Sequence, residues 1–154
     1  MRYSTRTRYG LRFLSYLGTI YHTKGPSHFT QLGEVAGAEE ISLKYLEQIV
    51  RKLKPLKIID SARGVKGGYR LTAAPENFKL QDIFDCLEGS SSPVPCIRNN
   101  ENPCSRQDYC ATHKLWKKLD EHMHSYLESA SLADAMPLGV MVDGLPPMRE
   151  TANT

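Results

Sequence analysis

The sequence predicts a mostly α-helical protein with one small β-hairpin and a long amphipathic helix towards its C-terminal end. Three observations predict it. Apolar residues recur at helical spacing in several separate stretches, a glycine-rich tip lies between two short apolar runs, and the last apolar stripe extends from Leu115 to Ala130. At 154 residues, 40% hydrophobic and 24% charged, the chain has the size and composition of one globular domain, or of a small domain with an appendage. No stretch approaches the roughly 18 apolar residues that span a membrane, and the start lacks a signal-peptide core. The expectation is a cytoplasmic protein with reduced thiols, which disfavours a disulfide framework.

The first helix is read in "RYGLRFLSYLGTIY", where Tyr9, Phe13, Tyr16, Leu17 and Ile20 share one face and Gly25 and Pro26 stop it. A short helix of about Thr30 to Ala38 offers Leu32, Val35 and Ala36 as its inner face. Ser42 then caps a third helix, with Ile41 stapling onto Leu46. Leu46, Ile49, Val50 and Leu53 form its apolar stripe, leaving Lys44, Glu47, Gln48, Arg51 and Lys52 outward. "KIIDSARGVKGGYRLT" follows as a hairpin, with Ile58 and Ile59 in one strand and Tyr69 and Leu71 in the other. Leu80, Ile83, Phe84 and Leu87 mark a connecting helix in which Cys86 is a small packed hydrophobe. A final helix from Thr112 carries Leu115, Leu119, Met123, Tyr126 and Ala130, with Trp116 and Leu127 widening the stripe. It is about 25 Å long, more than a small domain needs for its own core.

Helix, short helix, turn, helix and hairpin is the order of a winged helix-turn-helix, whose third helix lies in the DNA major groove and whose wing reaches a neighbouring phosphate or minor groove. Charge agrees. Residues 1–72 carry thirteen Lys or Arg against five Asp or Glu, whereas residues 73–154 carry seven against twelve. The wing tip is no phosphate-binding loop, because no Gly-Lys-Ser/Thr follows it. The predicted organisation is a winged domain over 1–78, a connecting helix over 79–92, a cysteine-rich loop over 93–111, a dimerisation helix over 112–135 and a flexible tail over 136–154.

The loop "CIRNNENPCSRQDYCATH" places Cys96, Cys104, Cys110 and His113 in a Cys-x7-Cys-x5-Cys-x2-His pattern. Soft thiolates with one imidazole suit zinc or an iron–sulfur cluster, and the spacing alone leaves both open; an RNA-binding type of zinc finger has nearly this spacing. Independent redox-active thiols would leave His113 unexplained. Arg98, Arg106 and the helix start would help hold the cysteines as thiolates. No nucleophile–base pair, nucleotide fingerprint or carboxylate pair marks an enzyme, and His22, His28, His122 and His124 read as surface or packing histidines.

From Met1 to about Met136 the chain resembles the Rrf-two family of bacterial winged-helix transcription regulators, and within it the IscR-type iron–sulfur cluster regulators. "MRYSTRTRYGLRFL", "ISLKYLEQIVRKLK", "SARGVKGGYRL" and "CATHKLWKKLDEHMHSYLESASLADAM" carry the resemblance. It implies a homodimer built on the long helix and a cluster held by Cys96, Cys104 and Cys110, with His113 as fourth ligand of a 2Fe-2S cluster. In nitric-oxide-sensing relatives a first-helix aspartate completes a 4Fe-4S cluster; Arg8 stands there and cannot ligate in that way, which favours His113. The seven-residue gap after Cys96, longer than the five of the IscR type, occurs among 4Fe-4S relatives, so 2Fe-2S is favoured and not fixed.

The resemblance further implies DNA reading by Ser42, Lys44, Tyr45, Glu47 and Gln48, with Arg63 in the wing. Gln48 suits an adenine edge, Glu47 a cytosine amino group and Arg63 a narrow minor groove or a phosphate. Arg51 is a further DNA-binding candidate, and Lys66 adds a phosphate contact. The expected function is transcription regulation by a homodimer on double-stranded operator DNA, its affinity set by cluster state, in the nucleoid, with no membrane or small-molecule substrate. The alternative is a nucleic-acid-binding module with a structural zinc on the three cysteines and His113.

Overall fold

The computed structural model describes residues 3–89, 92–98 and 104–137. In chain order the elements are α1 (Thr5–Lys24), α2 (Leu32–Ala38), α3 (Leu43–Leu53), β1 (Ile59–Ala62), β2 (Gly68–Leu71), α4 (Leu80–Glu88), α5 (Pro95–Arg98) and α6 (His113–Ser129). The fold is mostly helical with a two-stranded antiparallel wing, as the sequence predicts.

Ser4 caps α1 by accepting the Thr7 amide, and Phe13, Leu14, Tyr16, Leu17 and Ile20 are buried along one face. Gly10 lets the Leu87 side chain of α4 seat against α1: a Cβ there would stand 2.6 Å from Leu87 Cδ1. In α3, Ser42 accepts the Tyr45 amide at 3.2 Å, and Ile41 and Leu46 are both buried, as a staple requires. Pro55 falls in a 3-10 turn (Lys54–Leu56) that ends the helical run. Phe13, Leu14, Leu46, Ile49, Leu53, Ile83, Leu87 and Leu132 make the centre of one core, to which α1, α3, α4 and the C-terminal segment all contribute.

Two boundaries differ from the periodicity. The second helix starts at Leu32 and not Thr30, because Thr30 is drawn into a β-bridge with Tyr69: Thr30 N–H donates to Tyr69 O at 2.9 Å and Tyr69 N–H to Thr30 O at 2.8 Å. Gly68, at φ 142°, makes that approach possible, since a Cβ there would collide with the Thr30 carbonyl. The final helix stops at Ser129 and not near residue 135. Ala130 is extended, Leu80 N–H donates to Ala130 O at 3.0 Å, and Leu132 N–H donates to Phe78 O at 2.8 Å. A Ser131–Asp134 capping box then opens a 3-10 turn (Leu132–Ala135) that buries Leu132. Pairing with residues 78–80 satisfies backbone groups that a longer helix would have used internally.

The long apolar stripe is thereby divided. Leu127 and Ala130 are buried against the chain's own core, whereas Leu115 (61% exposed) and Tyr126 (64%) face outward with Leu119. The expected tail falls on residues 136–154, of which 138–154 lie outside the described residues.

Candidate nucleic-acid interface and cysteine segment

The outward face of α3 carries Lys44, Glu47, Gln48 and Arg51, all exposed, next to the exposed cap residue Ser42. The Arg51 guanidinium bends back to the Glu47 carbonyl at 3.3 Å. Tyr45 is half-buried, its ring edge-on to Tyr9 with centroids 5.9 Å apart. At the wing tip Arg63 and Lys66 are exposed. Among the described residues, Lys44, Glu47, Arg63 and Lys66 take part in no ion pair. The three cations are therefore available to a polyanion without first breaking an ion pair among those residues, while the Glu47 carboxylate is left free to accept from a base amino group.

Behind this surface lie residues that local pattern does not mark. Arg12 on α1 sends Nε to the Glu39 carboxylate at 2.8 Å and Nη2 to the Glu39 carbonyl. Glu39 and Glu40 form the turn between α2 and α3, where Glu40 has φ 52°. Arg12 also lies over the Tyr9 ring, 5.4 Å from its centroid. Gln31, just before α2, donates from Nε2 to the Val65 carbonyl at the wing tip, 2.8 Å away. The partners are 27 and 34 residues apart in sequence, beyond any helical or hairpin spacing.

Of the predicted ligands, Cys96 is half-buried in α5, Cys104 is exposed, Cys110 is half-buried before α6, and His113 opens α6. Cys110 and His113 are brought together: the His113 amide donates to the Cys110 carbonyl at 3.2 Å across the first turn. Cys110 Sγ lies 3.5 Å from the Thr112 hydroxyl. Hydrogen bonding by that hydroxyl, then by the Thr112 and His113 amides, with Arg106 nearby, holds the thiol below the ordinary range. Arg106 lies over the Tyr109 ring, 5.7 Å from its centroid; the Arg98 side chain and residues 99–103 lie outside the described residues. Among the described residues no three His, Cys, Asp or Glu side chains converge on a position that could hold a metal ion. The donor set suits iron–sulfur or zinc in kind, without a converged geometry.

Cys86 behaves as a packed residue. Its Sγ donates to the Lys52 carbonyl at the end of α3, 3.0 Å away, and burial pushes its pKa up.

No helix among the described residues is long and apolar enough to cross a membrane. The family model described as "Rrf2: Iron-dependent Transcriptional regulator" matches residues 3–137. Protein rrf2 of Nitratidesulfovibrio vulgaris is 35% identical over 137 residues, covering 88% of this chain and 87% of its own. The solved structure of CymR, titled the global cysteine regulator of B. subtilis, superposes with a TM-score of 0.68 at 31% identity, covering 87% of this chain and 95% of its own. That of T. potens IscR gives 0.65 at 27% identity, covering 87% and 85%.

Proposed function

The chain belongs to the Rrf2 family of transcriptional regulators, and from that premise we propose that it is an IscR-type member whose grip on operator DNA is set by an iron–sulfur cluster. The coarser statement needs no proposal: it is a DNA-binding regulator of winged helix-turn-helix fold, related to IscR and CymR proteins alike, in a family and fold of regulators and not of enzymes.

In this reading Glu47 and Gln48 meet base edges in the major groove. Ser42, Lys44, Tyr45, Arg51 and Lys66 hold phosphates, and Arg63 enters a minor groove. A second copy, paired through the outward stripe of Leu115, Leu119 and Tyr126, supplies the other reading head. Cys96, Cys104, Cys110 and His113 would hold the cluster, 2Fe-2S in preference to 4Fe-4S. A bound cluster supplies thiolate-ligated iron that responds to oxygen, nitric oxide or iron shortage.

The observation that carries the proposal is that His113 opens α6 with Cys110 just before it, hydrogen-bonded to the His113 amide, while Leu127 near the far end of the helix, and Ala130 and Leu132 just beyond it, belong to the core of the reading head. A change at the first turn is therefore transmitted along one helix into the body that carries α3. A tenfold change in operator affinity needs only about 1.4 kcal/mol of differential binding.

The test is a visible spectrum of protein purified without oxygen, with iron and sulfide assayed together. Absorbance lost in His113→Ala, with operator affinity that changes when the cluster is removed, supports the reading. A colourless protein with one zinc per chain supports a structural metal on the same four residues. A colourless, metal-free protein that still binds its operator supports a metal-free regulator. That last outcome has its own structural motive: the thiols Cys86, Cys96, Cys104 and Cys110 are all free, and among the described residues no three of them converge on one position.

A further inference from the structure

Resting on the DNA-binding reading above, we propose that Gln31 is a positioning residue for the wing, and that it presents Val65 as an apolar minor-groove contact through which the chain discriminates base pairs flanking its major-groove site. The wing is joined to the body at two heights. Along β2, one register position below the tip-side pair, Tyr69 exchanges two backbone hydrogen bonds of 2.9 and 2.8 Å with Thr30. At its tip, Gln31 Nε2 donates to the Val65 carbonyl at 2.8 Å. Thr30 and Gln31 lead directly into α2, which packs on α3 through the buried Val35. A two-stranded hairpin alone is marginally ordered in water; these three bonds make the wing tip move with the reading helix.

The tip is also closed on itself. Gly67 N–H donates to Gly64 O at 3.0 Å, with Gly64 at φ 98°. The latch takes the backbone carbonyl of Val65 and leaves its side chain 89% exposed, between the exposed Arg63 and Lys66. A single exposed valine is ordinary on a protein surface. At the apex of a stiffened tip flanked by two cations that take part in no ion pair among the described residues, it has the chemistry of a minor-groove probe. Cations are drawn to the negative potential of a narrow groove, while apolar side chains pack on sugar walls and base steps. The guanine 2-amino group projects into that groove in a G·C pair and is absent from A·T. An apolar group held at fixed depth is hindered by it; one on a mobile tip is not.

The test uses the full chain, prepared without oxygen, and a random-sequence duplex library. Duplexes are then built on the selected site with its flanks as A·T, G·C or inosine·C pairs. Inosine·C shows the A·T pattern in the minor groove and the G·C pattern in the major groove. The wild type is expected to bind A·T and inosine·C flanks alike, and G·C flanks about five- to tenfold more weakly. Gln31→Ala and Val65→Ser should select the same central site and lose the distinction between inosine·C and G·C. Unchanged discrimination in both variants overturns the proposal alone. So does a uniform loss of affinity on all flanks with a lowered melting temperature, which would make Gln31 merely structural. If the wild type selects no sequence, this proposal and the DNA-binding reading fall together.

Discussion

Arg12 and Glu39 join α1 to the turn that aims α3: Arg12 Nε stands 2.8 Å from Glu39 Oε2, and Nη2 reaches the carbonyl of the same residue. One guanidinium thus fixes both side chain and backbone at the pivot of the helix-turn-helix. An ammonium cannot reproduce this two-pronged contact. The Arg12 side chain is half exposed, so the ion pair itself contributes little, and Arg12→Ala should cost about 1 kcal/mol in urea denaturation. The larger effect is on aim. Affinity for the selected duplex should fall more than affinity for random DNA, in Arg12→Lys as well as in Arg12→Ala.

Leu132 tests the return of the chain after α6. It is fully buried in the common core, although it lies within the stretch expected to form the dimerisation helix, three residues past the end of α6. Leu132→Ala should destabilise the protein by about 2–5 kcal/mol, read as a shift in the urea midpoint. A change within a few tenths of a kcal/mol would mean that the segment does not contribute to the reading head.

These two sites show what the sequence made legible. The third helix could be read because its signals are local: a Ser42 cap, an Ile41 staple and a stripe at i, i+3 and i+4. The wing could be read because glycines announce a tight tip. Arg12 with Glu39, Thr30 with Tyr69 and Leu80 with Ala130 are pairings between distant segments, and no periodicity encodes them. Apolar spacing to Ala130 was real, but it could not show that the stripe divides between the chain's own core and an outward face. In the cysteine segment, spacing singled out candidate donors and left their convergence undetermined, because a loop's path is not fixed by residue spacing.

Glu88 links α4 to the start of α1 and gives acid sensitivity with a definite sign. Its carboxylate accepts the Ser4 amide at 2.6 Å. Burial alone would raise its pKa, but bonds from Thr7 and Ser4 and the Arg6 charge outweigh that, so the group sits below its ordinary range. A depressed folded-state pKa contributes stability that is full above the unfolded value and is lost as pH falls through the folded one. Glu88→Gln should therefore lower the urea midpoint near neutrality and flatten its decline through the acid carboxylate range. Parallel pH profiles for both proteins would show that Glu88 is not the linked group.

Leu115, Leu119 and Tyr126 share the outward face of α6, and the proposed dimer buries them. Leu115→Glu combined with Leu119→Glu should leave the melting temperature of the reading head nearly unchanged and yield monomers by sedimentation. Sedimentation as a dimer, with the double variant folded, would move the interface elsewhere.

Glu47 and Lys66 separate reading from holding. Both are exposed and free of ion pairs among the described residues, so removing either leaves no internal charge unpaired. A carboxylate repels phosphates and gains only from a cytosine amino group, so Glu47→Ala should relax base preference at one position, at a cost of about 1–3 kcal/mol on the selected duplex. Affinity for random DNA should hold or rise slightly. Lys66→Ala should weaken binding to every sequence alike and reduce the slope of log affinity against log salt by about 1, as the loss of one phosphate contact requires. The two effects are read from one salt titration on two duplexes. Equal losses from both substitutions on both duplexes would show that α3 contributes charge and not sequence readout.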